Sequence, residues 1–423
     1  MASRTAADIR RHNAFAVVRS IHVAGEISRR ELADITGLSF ATVGTICTDL
    51  LTRGVLMEAS RDAALVGRPT TNLALNPDHG LLLGVEIAEA FVHAETFDTA
   101  LRSLTSSEAP IDSHASTPAD VVAKAAEVIE AEVAKHNTKP LAIGVSAPGA
   151  VDPVGGTSVF SPYWAWHNVP LLDMLSDRLG APLLLDNPLK ALAIAEFWSR
   201  PELRDGDHVI AYLGTGVGAG VLIGGTLFRG RSNTAGEWGH TVLIAGGRQC
   251  RCGAKGCVEA YIGSPGILET LRGIDPTSPL LDDEDQVEAL TGLARACDEG
   301  DPTALTVVRT TAHYLGVALA SLINLLNPQT VLIGGWIGAL LGPRLLDAAR
   351  PYVEASAFPT SYQATTLEIS ALYGYTVALG MAASAFEDYL DHPATKTTSL
   401  LKTTSNNNDS RVPGGRARPK GKQ

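Results

Sequence analysis

Three of the chain's five cysteines, Cys250, Cys252 and Cys257, fall within eight positions of one another, ten residues and fewer than twenty after His240, in "GHTVLIAGGRQCRCGAKGCVEA". Three thiolates and one imidazole form the donor set of a closed tetrahedral zinc site. Gly253 and Gly256 give so short a loop room to fold back on itself. Because protein fills all four positions, the expected zinc is structural, with no open position at which to activate water. The chain reads as cytoplasmic, and in that reducing compartment clustered cysteines favour metal over disulfide. Its first residues mix acidic and basic groups where a signal peptide needs an apolar core, and no apolar run approaches the roughly 18 residues of a membrane span.

A chain of 423 residues exceeds one ordinary core and predicts two to three units. Its charge is unevenly spread. Residues 1–75 hold nine Arg against seven Asp and Glu, and residues 392–423 hold seven Lys and Arg against one Asp, so the acidic excess of the −11 net charge sits between them. A basic head on an acidic body suits a nucleic-acid partner for the head. The tail, polar and nearly free of large apolar residues, reads as disordered.

The head follows a helix-turn-helix pattern. Apolar residues recur at helical spacing from Asn13 to Val23 and stop at Gly25. Ser28 and Glu31 form a capping box for a second helix whose inner face is Leu32, Ala33 and Ile35. Gly37 turns the chain, and Ser39 caps a third helix that faces inward through Val43, Ile46, Leu50 and Leu51. Ser39, Ala41, Thr42 and Thr45 are left outward at its start, with Arg29 on the preceding helix, as candidates to meet phosphates and base edges. After Gly54 the sequence reads as a two-stranded wing, with Arg68 of Gly67-Arg68-Pro69 placed to reach phosphate or minor groove.

Beyond the head, glycines punctuate strands. Residues 81–98 alternate as a strand pair, residues 141–151 read as a buried strand ending in a Pro-Gly turn, and residues 208–230 read as a hairpin about Gly214, Thr215, Gly216 and Gly218. The amides of such a turn can cradle phosphate. The GxGxxG spacing and following helix of a dinucleotide-binding fold are missing. Glu237, three residues before His240, and Glu259, two after Cys257, would be drawn together by the metal loop, and paired carboxylates suit sugar hydroxyls.

Taken together, "AGEWGH", "CRCGAKGCVEA", "LGTGVGAGV", "APGAV", "NPQTVLIGG" and a head carrying "GRP" resemble the ROK group of repressors and sugar kinases, and within it the winged-helix regulators of sugar metabolism, over about residues 10–390. The resemblance implies an α/β fold. A winged helix-turn-helix (1–76) would precede two actin-like, ribonuclease-H-like lobes (77–198 and 199–390), with the C-terminal helix returning to the first lobe and a basic tail (391–423) beyond. It also implies that Glu237, His240 and Glu259 touch a sugar, with Asn187 and Tyr163 in the same pocket.

Departures from the kinase pattern are as specific as the matches. Pro188 stands where active members carry the Asp that takes a proton from the sugar hydroxyl, and Asp186 is two residues away. Where a kinase reads Asp-x-Gly-Gly-Thr, this chain has Glu86, Ala88, Glu89 and Ala90, and Glu89 brings negative charge towards the phosphates. The expectation is therefore a regulator, in the first instance a repressor, whose kinase-like body senses a sugar or sugar phosphate without phosphotransfer. As a homodimer or homotetramer it would bind a pseudo-palindromic operator in double-stranded DNA. The alternative is an active ATP-dependent sugar kinase carrying a DNA-binding head.

Overall fold

The structure, a computed structural model, describes residues 6–62, 70–112, 117–179, 181–283, 285–372, 374 and 376–391. Helix α1 (Ala6–Ala24) ends at Gly25, whose φ of 74° no helix residue adopts. Strand β1 (Ile27–Ser28) leads into α2 (Arg29–Thr36), where the Ser28 side chain accepts from the Glu31 amide and the Glu31 carboxylate accepts from the Ser28 amide at 2.9 Å. Gly37, at φ 69°, closes α2. Ser39 accepts from the Thr42 amide and starts α3 (Phe40–Thr52), which meets α2 at 120°. That angle belongs to a helix-turn-helix. Strands β2 (Leu56–Asp62) and β3 (Thr70–Leu75) pair as the wing hairpin.

Two details differ from the sequence reading. The wing has a third strand, because β1 pairs with β3. Ile35 is 41% exposed, since an eight-residue helix buries only the one turn centred on Leu32. Arg68 and residues 392–423 lie outside the described residues.

The body contains the same sheet twice. In the first lobe β4 (Leu81–Ile87), β5 (Phe91–Asp98) and β6 (Ser103–Pro110) run as an antiparallel meander. After α4 (Pro118–Val133), β7 (Ala142–Ser146) joins the other side of β4 in parallel. A small sheet of β8 (Ala150–Asp152), β9 (Thr157–Ser161) and β10 (Trp166–Val169) follows, then α5 (Leu171–Leu179), and β11 (Leu183–Asp186) adds in parallel to β7. Helix α6 (Pro188–Ser199) leads to the second lobe, where β12 (His208–Leu213), β13 (Val217–Ile223) and β14 (Thr226–Leu227) repeat the meander. Helices α7 (Glu259–Ile262), α8 (Ser264–Ile274), α9 (Gln286–Asp298) and α10 (Pro302–Leu326) come next. Strand β15 (Thr330–Gly334), α11 (Gly335–Ser356), α12 (Pro359–Ala364) and β16 (Thr366–Ile369) complete the second sheet, both strands parallel to β12. Helix α13 (Thr376–Asp391) then packs on α6 and on the first-lobe sheet.

The strand orders β6-β5-β4-β7-β11 and β14-β13-β12-β15-β16 correspond position by position. The turn at residues 88–90 is therefore the topological counterpart of the turn at 214–216. Glycine makes the close helix contacts possible: a Cβ on Gly84 would stand 1.9 Å from the Ala378 carbonyl oxygen of α13, and one on Gly144 2.1 Å from that of Met381. Helix α10 is long and apolar enough to cross a membrane, but most of its length is buried in the second-lobe core against α11.

Head and body share one apolar cluster. Val17, Val18 and Ile21 of α1 belong to the same core as Phe197 and Trp198 of α6 and Phe386 of α13. Phe15 stacks on Phe197 and meets Trp198 edge-on, at ring separations of 6.3 and 5.4 Å. Buried Arg19 lies over the Phe197 ring and donates to the carbonyls of Phe197 (2.6 Å) and Arg200 (2.7 Å), where α6 has run out of its own amides. The head thus sits on one end of α6, while the other end opens into the cleft.

Candidate functional site

The metal loop is held by backbone geometry before any ion is considered. Gly256 takes φ 84°, and a Cβ there would stand 1.8 Å from the Ile244 carbonyl oxygen, so only glycine fits. Bridges between Val242 and Cys257 and between Gln249 and Lys255 pin the two strands of the loop. The donor atoms of His240, Cys250, Cys252 and Cys257 all lie within 4.8 Å of one another. His240 Nδ1 is 3.7 Å from Cys250 Sγ, and Cys252 and Cys257 Sγ are 3.8 Å apart. Sulfur ligands at about 2.3 Å on a tetrahedral ion stand about 3.8 Å from each other. The four side chains fit a metal ion, and binding through Nδ1 would leave His240 Nε2 for another partner.

Glu259 opens α7 directly after this loop. Its Oε2 accepts from the Val217 amide at 3.0 Å, and its Oε1 lies 3.6 Å from Cys250 Sγ and 3.5 Å from Arg251 Nε. Glu237 is half-buried, and its Oε1 is a buried atom without a hydrogen-bond partner among the described residues. Burial raises the Glu237 pKa, Lys190 and His240 oppose that, and Glu259 adds to it. The two glutamates therefore share one electrostatic environment, and Glu237 Oε1 is left an unused acceptor among the described residues. Tyr163, on the turn between β9 and β10, stands edge-on to Trp164 and 6.0 Å from the Arg251 guanidinium carbon.

Deeper in the cleft, Asn187 is buried as the N-cap of α6, its Oδ1 accepting from the Lys190 amide at 3.1 Å. Pro188 occupies the first helical position, where a missing N–H costs nothing. Asp186 is fully engaged: Oδ1 accepts from the amide of Asn187 (2.9 Å) and from Asn233 Nδ2 (3.0 Å), and Oδ2 pairs with Arg229. Asn233 also donates to the Val151 carbonyl at 3.1 Å and accepts from Arg229 at 2.9 Å. Both Asp186 oxygens are thus occupied by donors of the protein itself. Buried Lys190 reaches across to the Ala235 carbonyl; burial lowers its pKa, with Glu237 and Asp186 acting against that.

In the second-lobe turn the Gly214 amide donates to the Gly216 carbonyl at 3.0 Å. Thr215 sits between them, at the tip. Gly218 lies beyond the turn in β13, where a Cβ would stand 2.4 Å from Leu189 Cδ1 at the start of α6. Facing this turn from the first lobe, both Glu89 oxygens accept from Arg251 Nη1 at 2.9 Å. A Cβ placed on Gly216 would be 3.6 Å from Arg251 Nη2 and 3.5 Å from Glu259 Oε2.

The ROK family model matches residues 83–384, most of the chain and both lobes. The chain belongs to the ROK family. It is 26% identical to a xylose repressor of Caldicellulosiruptor bescii over 90% of this chain and 97% of that one. Among solved structures, a ROK family transcriptional regulator described as a homolog of the E. coli Mlc protein superposes with a TM-score of 0.73 at 26% identity, covering 90% of this chain and 98% of its own. A ROK glucokinase from Streptomyces griseus, in complex with glucose and AMPPNP, superposes with a TM-score of 0.64 at 26% identity, covering 72% of this chain and 99% of its own.

This ROK chain thus has a head in addition to a kinase-like body. On α3, Ser39, Ala41 and Thr45 are exposed and Thr42 half-exposed, with Thr42 and Ser39 hydroxyls 2.8 Å apart and Thr45 bonded back to the Ala41 carbonyl. Arg29 is half-buried. Sequence reasoning passed over Phe40, 61% exposed at the start of the same helix, and exposed Arg30 one residue from Arg29. It also passed over Arg251, Arg229, Asn233 and Lys190 in the cleft. A signal for Arg251 was present in the letters "CRC", a cation set between two candidate metal ligands, but its partner is 162 residues away.

Proposed function

We propose that this protein is a DNA-binding transcriptional regulator, acting as a repressor of carbohydrate genes, whose two-lobed body binds a sugar or sugar derivative and transfers no phosphoryl group. The observation that carries this reading is full-length likeness, head included, to a xylose repressor and to a ROK transcriptional regulator. The cleft supports it. Proline stands at the expected catalytic position, and the nearest carboxylate, Asp186, is held by Arg229 and Asn233. In this reading Glu237, His240 Nε2 and Glu259 receive sugar hydroxyls, Tyr163 covers a ring face, and Asn187 fixes the start of α6.

Zinc is the ion proposed for His240, Cys250, Cys252 and Cys257, where it would fold the loop that carries Glu259. Helix α6 links the two ends of the mechanism. A ligand that favours one arrangement at Asn187 and Lys190 favours one placement of α1 at Phe197 and Arg200, and so of α3 on DNA. Two heads in a homodimer, or in pairs within a homotetramer, would read a pseudo-palindromic operator, with Arg29, Ser39, Ala41, Thr42 and Thr45 at the contact.

The test is fluorescence anisotropy of zinc-loaded protein on duplex DNA from upstream of its own gene, titrated with salt and then with a panel of sugars and sugar phosphates. Selective binding that falls steeply with salt, and release by a member of the panel, is expected. Equal affinity for random duplex, together with sugar-dependent ADP formation at ordinary kinase turnover, would replace this reading with that of a kinase.

A further inference from the structure

Each lobe offers one hairpin turn to the cleft, residues 88–90 and residues 214–216, at equivalent places in equivalent sheets. Paired turns of this kind, with amides aimed across a cleft, are a setting for a phosphate chain. Here the space between them holds side chains of the protein. Arg251 extends from the metal loop so that Nη1 engages both oxygens of Glu89 at 2.9 Å, Nε lies 3.5 Å from Glu259 Oε1, and Nη2 lies against Gly216. Glu259 in turn accepts from Val217 at the end of the second turn. Neither member of the pair is fully solvated: the Arg251 and Glu89 side chains are 33% and 23% exposed.

We infer that Glu89 and Arg251 form an inter-lobe strap that fills the space between the two turns with the protein's own charge pair, excludes a nucleoside triphosphate from it, and limits how far the lobes separate. The two departures belong together. Glu89 alone would repel a phosphate chain but leave the turns free to part; Arg251 alone would invite phosphate. As a charge-assisted pair they satisfy each other across the cleft and do neither. The strap also touches the pocket, because Glu259 is at once its third member and a proposed sugar contact. A ligand hydroxyl that draws on Glu259 loosens one of the bonds on Arg251. This last step rests on the sugar-sensor reading; the strap itself does not.

The experiment uses the full-length, metal-loaded chain and two readouts independent of DNA and sugar. One is equilibrium binding of a fluorescent ATP analogue with Mg²⁺; the other is hydrogen exchange at the amides of residues 88–90 and 214–217. Wild type is expected to bind the nucleotide only weakly and to protect both turns. Glu89→Gln removes the carboxylate that engages Nη1 and leaves Arg251 with Glu259 as its partner in the strap, so nucleotide binding should tighten by about tenfold while exchange at both turns quickens. Glu89→Arg should quicken exchange and tighten binding at least as much, since two cations then face the phosphates, and Arg251→Glu added to it should restore protection and weak binding. Metal content and circular dichroism identify any Arg251 variant that has lost the loop. In that event the two Glu89 variants, which leave the loop sequence intact, decide the matter. Tight nucleotide binding by wild type, or exchange and binding unchanged in both Glu89 variants, would overturn the strap. Failure of operator binding or sugar release would instead count against the regulator and leave the strap standing.

Discussion

The turns at 88–90 and 214–216 occupy the same place in two copies of one sheet, yet the first reads Ala-Glu-Ala and the second Gly-Thr-Gly. In the second lobe the turn has kept its glycines. In the first lobe the glycines lie further along the strands, at Gly84 and Gly144, where they let α13 settle against the sheet. The difference teaches that the scaffold demands glycine beneath the helix and not at the turn. The turn is free to change with function; the strand beneath the helix is not.

The strongest way to break that comparison is Gly84→Ala. With a Cβ 1.9 Å from a backbone oxygen of α13, the helix itself must move, and a loss of more than about 3 kcal/mol in denaturant unfolding, or failure to accumulate as folded protein, is expected. Stability within about 0.5 kcal/mol of wild type would show that helix and sheet are not so closely set.

A second variant asks whether the pH response of the fold comes from this helix. Burial pushes the Glu387 carboxyl of α13 up to about 7, against the opposing effect of the Trp198 indole that donates to it at 2.9 Å. The folded chain therefore holds a proton that the unfolded chain has released. Stability should fall as pH rises from the ordinary carboxylate range through about 7, with the full penalty above that value. Glu387→Gln should match wild type at pH 4 and melt a few degrees higher at pH 8. Equal melting temperatures across the range would locate the response elsewhere, with Glu86 the other carboxyl raised to about 7 among the described residues. The smallest effect belongs to Gly216→Ala, whose Cβ finds only ordinary contacts at 3.5 and 3.6 Å. A stability change below about 0.5 kcal/mol is expected, and a large loss would mean that the second turn is as constrained as the strands of the first lobe.

What the sequence made legible was what local chemistry decides. Ser28 with Glu31, Gly37 and Ser39 place the head helices because each cap acts over three or four residues. The metal loop was legible from spacing, since His240, Cys250, Cys252 and Cys257 lie within one short stretch. The cleft was legible only in part. The proline at 188 could be seen to fill a proton acceptor's place, but not that Asp186 is spoken for, because its partners Arg229 and Asn233 come from the other lobe. Gly218 reads with the turn because a glycine under a helix and a glycine in a turn are the same letter; only the structure shows Leu189 of α6 close above it. Ile35 fits an inward spacing, but a two-turn helix has too little length to bury it.

The polar contacts in the seam between head and body fall largely on main-chain oxygens. Arg19 donates to the carbonyls of Phe197 and Arg200, Arg53 to that of Leu390, and Arg204, from the body, to that of Ile35 in the head. A carbonyl is present whatever side chain its residue carries. These hydrogen bonds, unlike the apolar packing around them, are indifferent to the side chains of the residues they grip, provided the helices end where they do. A body residue at one of these grips can therefore change its side chain without costing the head its hydrogen bond, a latitude that the aromatic contacts of Phe15 with Phe197 and Trp198 do not share.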